Sequence, residues 1–324
     1  MVFCGIKAYA AQKPAAVIVS EARLCYNIKK GGAFMLTQNI TFNEINKIFD
    51  SFNRKEEYLN KLCERTGRGR PLAAYGYGRT DQAIADTWNY EISKDIIREM
   101  FFKSEKFLRG LKSKGRIDFL TEDWHNNNLG KIEWPFAAMG FDGYIAGINR
   151  RADLSEREKD EIAARGTVKF RRIKDINTCR NDYIESLIVY HNSNIIPTFR
   201  HNRGLDFYIN GQPFDQKVSR SVGKSFIRTY GDGYRSIALN RPELVAVSLY
   251  ENQDEERFDQ DPRLYIVYLD SDISSKSIER SIIETSFEKP TEVSFNFTHS
   301  NGRVTEHRTY CYVLLLHNRN APLE

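Results

Sequence analysis

The sequence has no stretch approaching the ~20 consecutive apolar residues that cross a bilayer. Its early run Ala15-Ala-Val-Ile-Val-Ser20 is too short for the apolar region of a secretory leader. No C-x-x-C spacing occurs. The five cysteines, Cys4, Cys25, Cys63, Cys179 and Cys311, are scattered and odd in number, which argues against a disulfide framework and a zinc site and fits a reducing compartment. The six histidines are dispersed as well, and His191 and His201 read as solvated. Gly223-Lys224-Ser225 lacks the first glycine of a nucleotide-binding phosphate loop, because position 218 is valine. Strong charge of either sign is also missing: the net charge is +5 and the pI is near 8.8, a balance that permits a nucleic-acid partner without demanding one. What is present is a globular composition, 41% apolar and 12% aromatic, over 324 residues, enough for one large or two modest domains. The reading is a soluble, cytoplasmic protein with no membrane partner.

Residues 1–34 are basic, weakly patterned and end in Lys29-Lys-Gly-Gly32, so they read as an N-terminal extension outside the working fold. Thr41-Phe-Asn-Glu44 is a capping box, and Ile45, Ile48, Phe49, Phe52, Tyr58 and Leu62 follow at helical spacing, with a possible interruption at Ser51-Phe-Asn53. Two further helices are expected, one over about 81–91 and one opened by Ser93 and running to about Lys112, its polar side carrying Lys103, Lys106, Arg109 and Lys112. Residues 114–150 read as irregular, and Gly140-Phe-Asp142-Gly-Tyr-Ile145 as a turn. Ser155-Glu-Arg-Glu158 opens another helix, expected to end at Gly166. This gives a mostly helical part over 35–165 and a second part over 166–324.

The second part centres on Gly204-Leu-Asp-Phe-Tyr-Ile-Asn-Gly-Gln-Pro-Phe-Asp-Gln-Lys-Val-Ser219. Asn210-Gly211 marks a two-residue hairpin turn, since type I′ geometry needs positive φ at both central residues. That turn pairs Ile209 with Gln212, Tyr208 with Pro213, Phe207 with Phe214 and Asp206 with Asp215. One face then carries Leu205, Phe207, Ile209, Phe214 and Val218, and the other Asp206, Tyr208, Asp215, Lys217 and Ser219. Asp206 and Asp215 become cross-strand neighbours with Cβ atoms roughly 5 Å apart, a repulsive arrangement unless positive charge lies between them. Lys217 supplies part of that charge and a divalent cation would supply the rest. Before the hairpin, Ile176, Cys179, Tyr183, Leu187 and Tyr190 repeat at helical spacing with Glu185 at the stripe's edge, and Asn194–His201 reads as a strand. Beyond it, a helix over Pro242–Glu251, a buried strand Arg263–Leu269, a helix over Ser277–Thr285 and a last strand Tyr310–Leu316 are expected.

Helix with an acid, strand, Asp strand, Asp-x-Lys strand is the order of the PD-(D/E)XK nucleases, and over roughly 170–270 the chain resembles that superfamily, which includes most type II restriction endonucleases. Asp206, Asp215 and Lys217 match its motif and Glu185 its helical acid, while Leu205 stands where the family usually has proline. The resemblance implies an α/β (α+β) fold with an αβββαβ core, Mg²⁺ dependence and hydrolysis of double-stranded DNA by a type II site-specific restriction enzyme. Asp206, Asp215 and Lys217 would be catalytic, and Asp206, Asp215 and Glu185 would hold metal. A homodimer would suit a palindromic target. Arg68-Gly-Arg70-Pro71 resembles the core of an AT-hook; with Arg79 it forms an arginine loop expected to touch DNA. The alternatives are a non-catalytic DNA-binding protein that uses this loop, a repair or recombination nuclease of the same superfamily, and an interaction protein whose hairpin acids are merely solvated.

Overall fold

The computed structural model describes residues 42–76, 79–136, 140–202, 205–252, 262–299 and 302–319, all within the unit Leu36–Glu324. The expected extension over residues 1–34 and Thr41 lie outside these residues.

The chain opens with α1 (Phe42–Ile48) and α2 (Phe52–Thr66), separated at Ser51. Ser51 is extended and its hydroxyl accepts from the Arg54 N–H at 3.4 Å, so it caps α2 and ends the run begun by α1. Gly67, at φ 61°, closes α2 in the left-handed conformation that glycine adopts without strain. Next come α3 (Thr80–Thr87), α4 (Tyr90–Phe102), α5 (Glu105–Asn126), α6 (Gly140–Asn149) and α7 (Glu156–His191).

Four expectations are corrected here. Asn89, not Ser93, caps α4; Ser93 is buried inside the helix and its hydroxyl accepts from the Tyr58 hydroxyl at 2.9 Å. The single helix expected to reach Lys112 is two, because Ser104 caps a new one by accepting from the Phe107 N–H. Residues 114–150 are not irregular: they hold the second half of α5, which buries Ile117, Leu120 and Trp124, and all of α6, whose first turn contains Asp142. Finally, α7 starts at the expected Ser155 capping box but runs through Gly166 for 36 residues. Gly166 serves packing instead of termination. A Cβ there would lie 2.3 Å from the Tyr144 hydroxyl of α6, which donates to the Ile162 carbonyl at 3.0 Å.

The remaining chain builds a mixed sheet from β1 (Ile195–Asn202), β2 (Leu205–Ile209), β3 (Gln212–Ser219), β4 (Arg263–Tyr268), β5 (Thr291–Thr298) and β6 (Val304–Leu316). Between β3 and β4 lie α8 (Lys224–Tyr230), α9 (Tyr234–Asn240) and α10 (Pro242–Glu251); α11 (Ser275–Glu284) separates β4 from β5. The strand order is β1-β2-β3-β4-β6-β5. β1, β2 and β3 form an antiparallel meander, β3, β4 and β6 run parallel, and β5 returns antiparallel on β6.

Side-chain alternation divides the core into layers. On one face Phe207, Ile209, Phe214, Leu264, Ile266 and Leu314 pack under α5, α7 and α11. On the other, Ile196 and Tyr208 meet the α1–α4 cluster, while Tyr265, Val267 and Cys311 meet α8–α10. β3 runs between these two layers, and its Pro213, Asp215, Lys217 and Ser219 are none of them fully buried.

Candidate active site at the fork of strands β2 and β3

The hairpin forms with three of its four expected pairs, Ile209 opposite Gln212, Tyr208 opposite Pro213 and Phe207 opposite Phe214; the fourth, Asp206 with Asp215, does not form, because β3 turns to β4 at Asp215. Asn210 (φ 52°) and Gly211 (φ 78°) both have the positive φ that this turn requires. Asn210 is also pinned from outside, since its side-chain amide donates to the carbonyls of Phe287 (3.0 Å) and Glu288 (2.9 Å).

Pairing between β2 and β3 stops at Phe207–Phe214, and from Asp215 onward β3 pairs with β4 instead. The switch begins with the Asp215 N–H donating to the Pro262 carbonyl at 3.0 Å. The two strands thus diverge where the sequence places its two aspartates. A backbone donor left unpaired at such a divergence needs another acceptor. The Asp206 carboxylate provides one: its Oδ2 accepts from the Gln216 N–H at 2.8 Å. The Asp206 carbonyl in turn accepts from the buried Thr198 hydroxyl at 3.1 Å, which fixes the start of β2.

Asp215 Oδ2 lies 3.3 Å from the Lys217 Nζ, and the lysine side chain keeps 44% of its exposure. Glu185 reaches the same region from α7. Its Oε1 accepts from the Lys106 Nζ of α5 at 2.6 Å, with both side chains largely covered. Burial raises the Asp206 pKa above the ordinary carboxylate value, and the charges of Asp215 and Glu185 push it further in the same direction; the Gln216 N–H and Lys106 oppose them. Asp206 is thus within electrostatic reach of Asp215, Glu185 and Lys106, Lys217 is paired with Asp215, and Lys106, which the sequence pattern leaves on a solvated helix face, is paired with Glu185. Nothing in the spacing of Lys106 foretells its partner.

The crossing of α5 and α7 explains how Lys106 gets there. A Cβ at Gly110 would lie 2.0 Å from the Ser186 Oγ and 2.4 Å from the Asp182 carbonyl, so the helices touch at this glycine. Lys106 is one turn before Gly110, and Glu185 adjoins Ser186. Further pairs continue along the seam, Arg109 with Asp182 (2.8 Å) and Arg116 with Asp175 (2.6 Å).

Among the described residues no three His, Cys, Asp or Glu side chains stand together as a metal-holding group. The fork offers two carboxylates, Asp206 and Asp215, each with one oxygen engaged by a neighbour. That donor set suits Mg²⁺, a hard cation commonly held by one or two carboxylates and completed by water and phosphate oxygens. Arg68, Arg70 and Arg79 are exposed on the connection between α2 and α3, away in sequence from the fork, and the Arg70 guanidinium lies 4.6 Å from the Tyr75 ring centre. Cys63, Cys179 and Cys311 are free thiols. No described helix is long and apolar enough to cross a membrane. In comparisons with known proteins, the chain matches no family model, no curated sequence and no solved structure.

Proposed function

We propose that the protein is a Mg²⁺-dependent deoxyribonuclease of the PD-(D/E)XK kind that cleaves double-stranded DNA, with a type II restriction endonuclease as the specific form. The observation that carries this is the fork: one strand changes partner at Asp215, leaving Asp206 at the divergence, Lys217 paired with Asp215, and the helical acid Glu185 within electrostatic reach of Asp206. The element order supports it too, since α7, the β1–β3 meander, the α8–α10 helices and a β4 parallel to β3 follow the αβββαβ sequence.

In this reading Asp206 and Asp215 would hold a divalent cation, which when bound would supply Lewis-acid stabilisation to a phosphate oxygen. Hydrolysis would be in-line attack of a water on phosphorus as the opposite ester P–O bond breaks, the water giving up one proton and the leaving sugar oxygen taking one from solvent. Lys217, the most exposed of the group, donates hydrogen bonds to the attacking water and offsets charge growing on the phosphate oxygens. The Gln216 N–H keeps Asp206 in place and Lys106 keeps Glu185 in place, so the carboxylates need little rearrangement when substrate arrives. The α1–α4 layer with Arg68, Arg70 and Arg79 is the DNA-recognition part, and a homodimer would match a palindromic site.

The test is incubation of the purified protein with plasmid DNA, with and without Mg²⁺. Discrete fragments only with Mg²⁺ are expected, and smearing would mean a nuclease without sequence preference. Intact plasmid under both conditions, with DNA still bound, would replace the nuclease by a non-catalytic DNA-binding protein.

A further inference from the structure

We infer that Arg220, stacked on Trp134 at the end of β3, holds a backbone phosphate of the DNA beside the fork. That the phosphate belongs to DNA rests on the nuclease reading; that a phosphate binds here rests on the surroundings of the arginine itself.

β3 has β4 on one side and, past Phe214, no strand on the other. Its last residue, Ser219, pairs with Val267, so Arg220 follows beside Tyr268, about one strand spacing of 4.8 Å away. The Arg220 guanidinium lies 4.3 Å from the Trp134 ring centre. Trp134 is itself fixed: its ring centre is 5.3 Å from that of Phe170 on α7, and it packs against the cluster containing Leu129, Ile132 and Ile173. Stacking engages the face of a guanidinium and leaves the N–H groups along its edge able to donate. Arg220 is exposed and, among the described residues, spends none of them on a hydrogen bond or an ion pair.

A cation at this position lacks compensation. Arg180 of α7 flanks the same tyrosine, its guanidinium 5.6 Å from the Tyr268 ring centre, and is 2% exposed. Its terminal nitrogens donate to the carbonyls of Ser271 (2.8 Å) and Ile273 (3.1 Å), and it too forms no ion pair among the described residues. Burial lowers the Arg220 pKa from its ordinary value and Arg180 adds to the effect, with Tyr268 opposing. Two guanidinium groups without a carboxylate favour an anion, and the planar N–H edge of Arg220 matches phosphate oxygens. The fork makes that phosphate part of a nucleic acid. Lys217 stands three residues earlier on the strand, roughly 10 Å away at about 3.3 Å per residue. A duplex carries roughly one phosphate charge per 1.7 Å of its axis, so several phosphates fall within that reach. Lys217 and Arg220 leave β3 on opposite faces, and its open edge is accessible from both.

The test is binding of a short labelled duplex, read by fluorescence anisotropy without metal over a range of NaCl concentrations. The parent chain is compared with Arg220→Ala and Arg220→Lys. Arg220→Ala should weaken binding by at least about tenfold and lower the slope of log Kd against log salt by about one. Arg220→Lys keeps the charge but not the planar edge, so it should keep the slope and recover only part of the affinity. In Mg²⁺, Arg220→Ala should cut plasmid with a raised KM and a kcat little changed, because its contact is with a neighbouring phosphate and not the scissile one. A structural staple between Trp134 and β3 would lower the stability of both variants and leave the slope alone, and that result would overturn the inference. Unchanged affinity of a folded Arg220→Ala would overturn it as well, while the nuclease reading would still be decided by plasmid cleavage with the parent. Inorganic phosphate that protects the parent but not Arg220→Ala against thermal unfolding, with equal duplex binding by both, would assign the site to free phosphate and overturn the DNA form. No duplex binding by the parent at any salt concentration would overturn both readings.

Discussion

Replacing Asp206 by asparagine should make the metal-free protein more stable. The carboxamide keeps the size of the side chain, and its oxygen can still accept from the Gln216 N–H, so the fork stays capped. What goes is a charge that burial, Asp215 and Glu185 all disfavour. The strands have diverged at Asp206 and Asp215, so the relief comes from a nearby and partly buried charge, not a directly paired one, and is on the order of 1 kcal/mol or less. The gain should be of that size, and about 1 kcal/mol corresponds to a rise in Tm of only roughly 1–2 °C for a chain of 324 residues. The pH dependence follows from the direction of the shift. A carboxyl whose folded pKa is raised favours folding in its neutral form; that contribution is complete below the unfolded value of about 3.9 and is lost as pH climbs through the folded value. The advantage of Asp206→Asn should therefore be full at pH 7.5 and shrink toward pH 4.5. Magnesium should reverse the order, because an ion that binds only the folded parent at ten times its Kd stabilises it by about 1.4 kcal/mol. Thermal unfolding of both proteins at the two pH values, with and without Mg²⁺, tests all of this. A variant less stable than its parent at pH 7.5 without metal would mean that Asp206 is held as an anion for structural reasons, and the electrostatic account of the fork would fail.

Asp215→Asn should abolish Mg²⁺-dependent plasmid cleavage while circular dichroism and DNA binding stay as in the parent; equal cleavage would end the nuclease reading. Lys217→Ala should also be inactive and folded yet still bind Mn²⁺, since a lysine is no metal ligand, and failure to bind Mn²⁺ would refute the division of roles. Arg68→Ala combined with Arg70→Ala should weaken DNA binding and lower the slope of its salt dependence by roughly one for each DNA phosphate no longer neutralised; an unchanged slope would make the loop a simple connection. Gly110→Ala forces a methyl against the Asp182 carbonyl and should cost about 1–3 kcal/mol in urea unfolding. A change below about 0.5 kcal/mol would show that the α5–α7 crossing is not fixed there.

Local chemistry made part of this fold legible. Asn210-Gly211 dictates its own turn, and the turn dictates the register of Phe207 and Phe214, so the hairpin follows from adjacent residues. Ser155 with Glu158, and Pro242 at the first turn of α10, mark helix starts by the same logic. The course of α7 past Gly166 was hidden because the residue that needs the glycine, Tyr144, is on another helix. The second half of α5 was hidden because its buried stripe, Ile117, Leu120 and Trp124, is thin and set among charged residues. β5 was missed although its alternation of Val293, Phe295 and Phe297 carried a readable signal. At the fork the two aspartates and Lys217 were legible from the hairpin register. The partner switch of β3 was not, because β4 lies a long way down the chain, and neither was Lys106, whose position depends on a helix crossing.

The fork also separates what folding requires from what it tolerates. The Gln216 N–H needs one acceptor, and an asparagine or serine at 206 would provide it without burying a charge. Asp215 is not needed to join β3 to β4, because that junction is made by backbone groups, starting with its own N–H on the Pro262 carbonyl. Glu185 adds nothing to the apolar packing of α7 on the sheet, which Ile184, Leu187 and Ile188 already provide. The Asp206 carboxylate thus stands where burial and the charges of Asp215 and Glu185 all disfavour its ionised form, though the fold needs only an acceptor there. Two lysines, from separate elements, only partly offset that cost. A sequence consistent at every other level departs from its own rules where something outside the chain supplies the missing interaction. On the proposed nuclease reading, the missing interaction is a cation bound by oxygen beside the half-exposed Lys217. The proposed cation and phosphate are the partners that the Asn and Ala variants above would show to be needed or not.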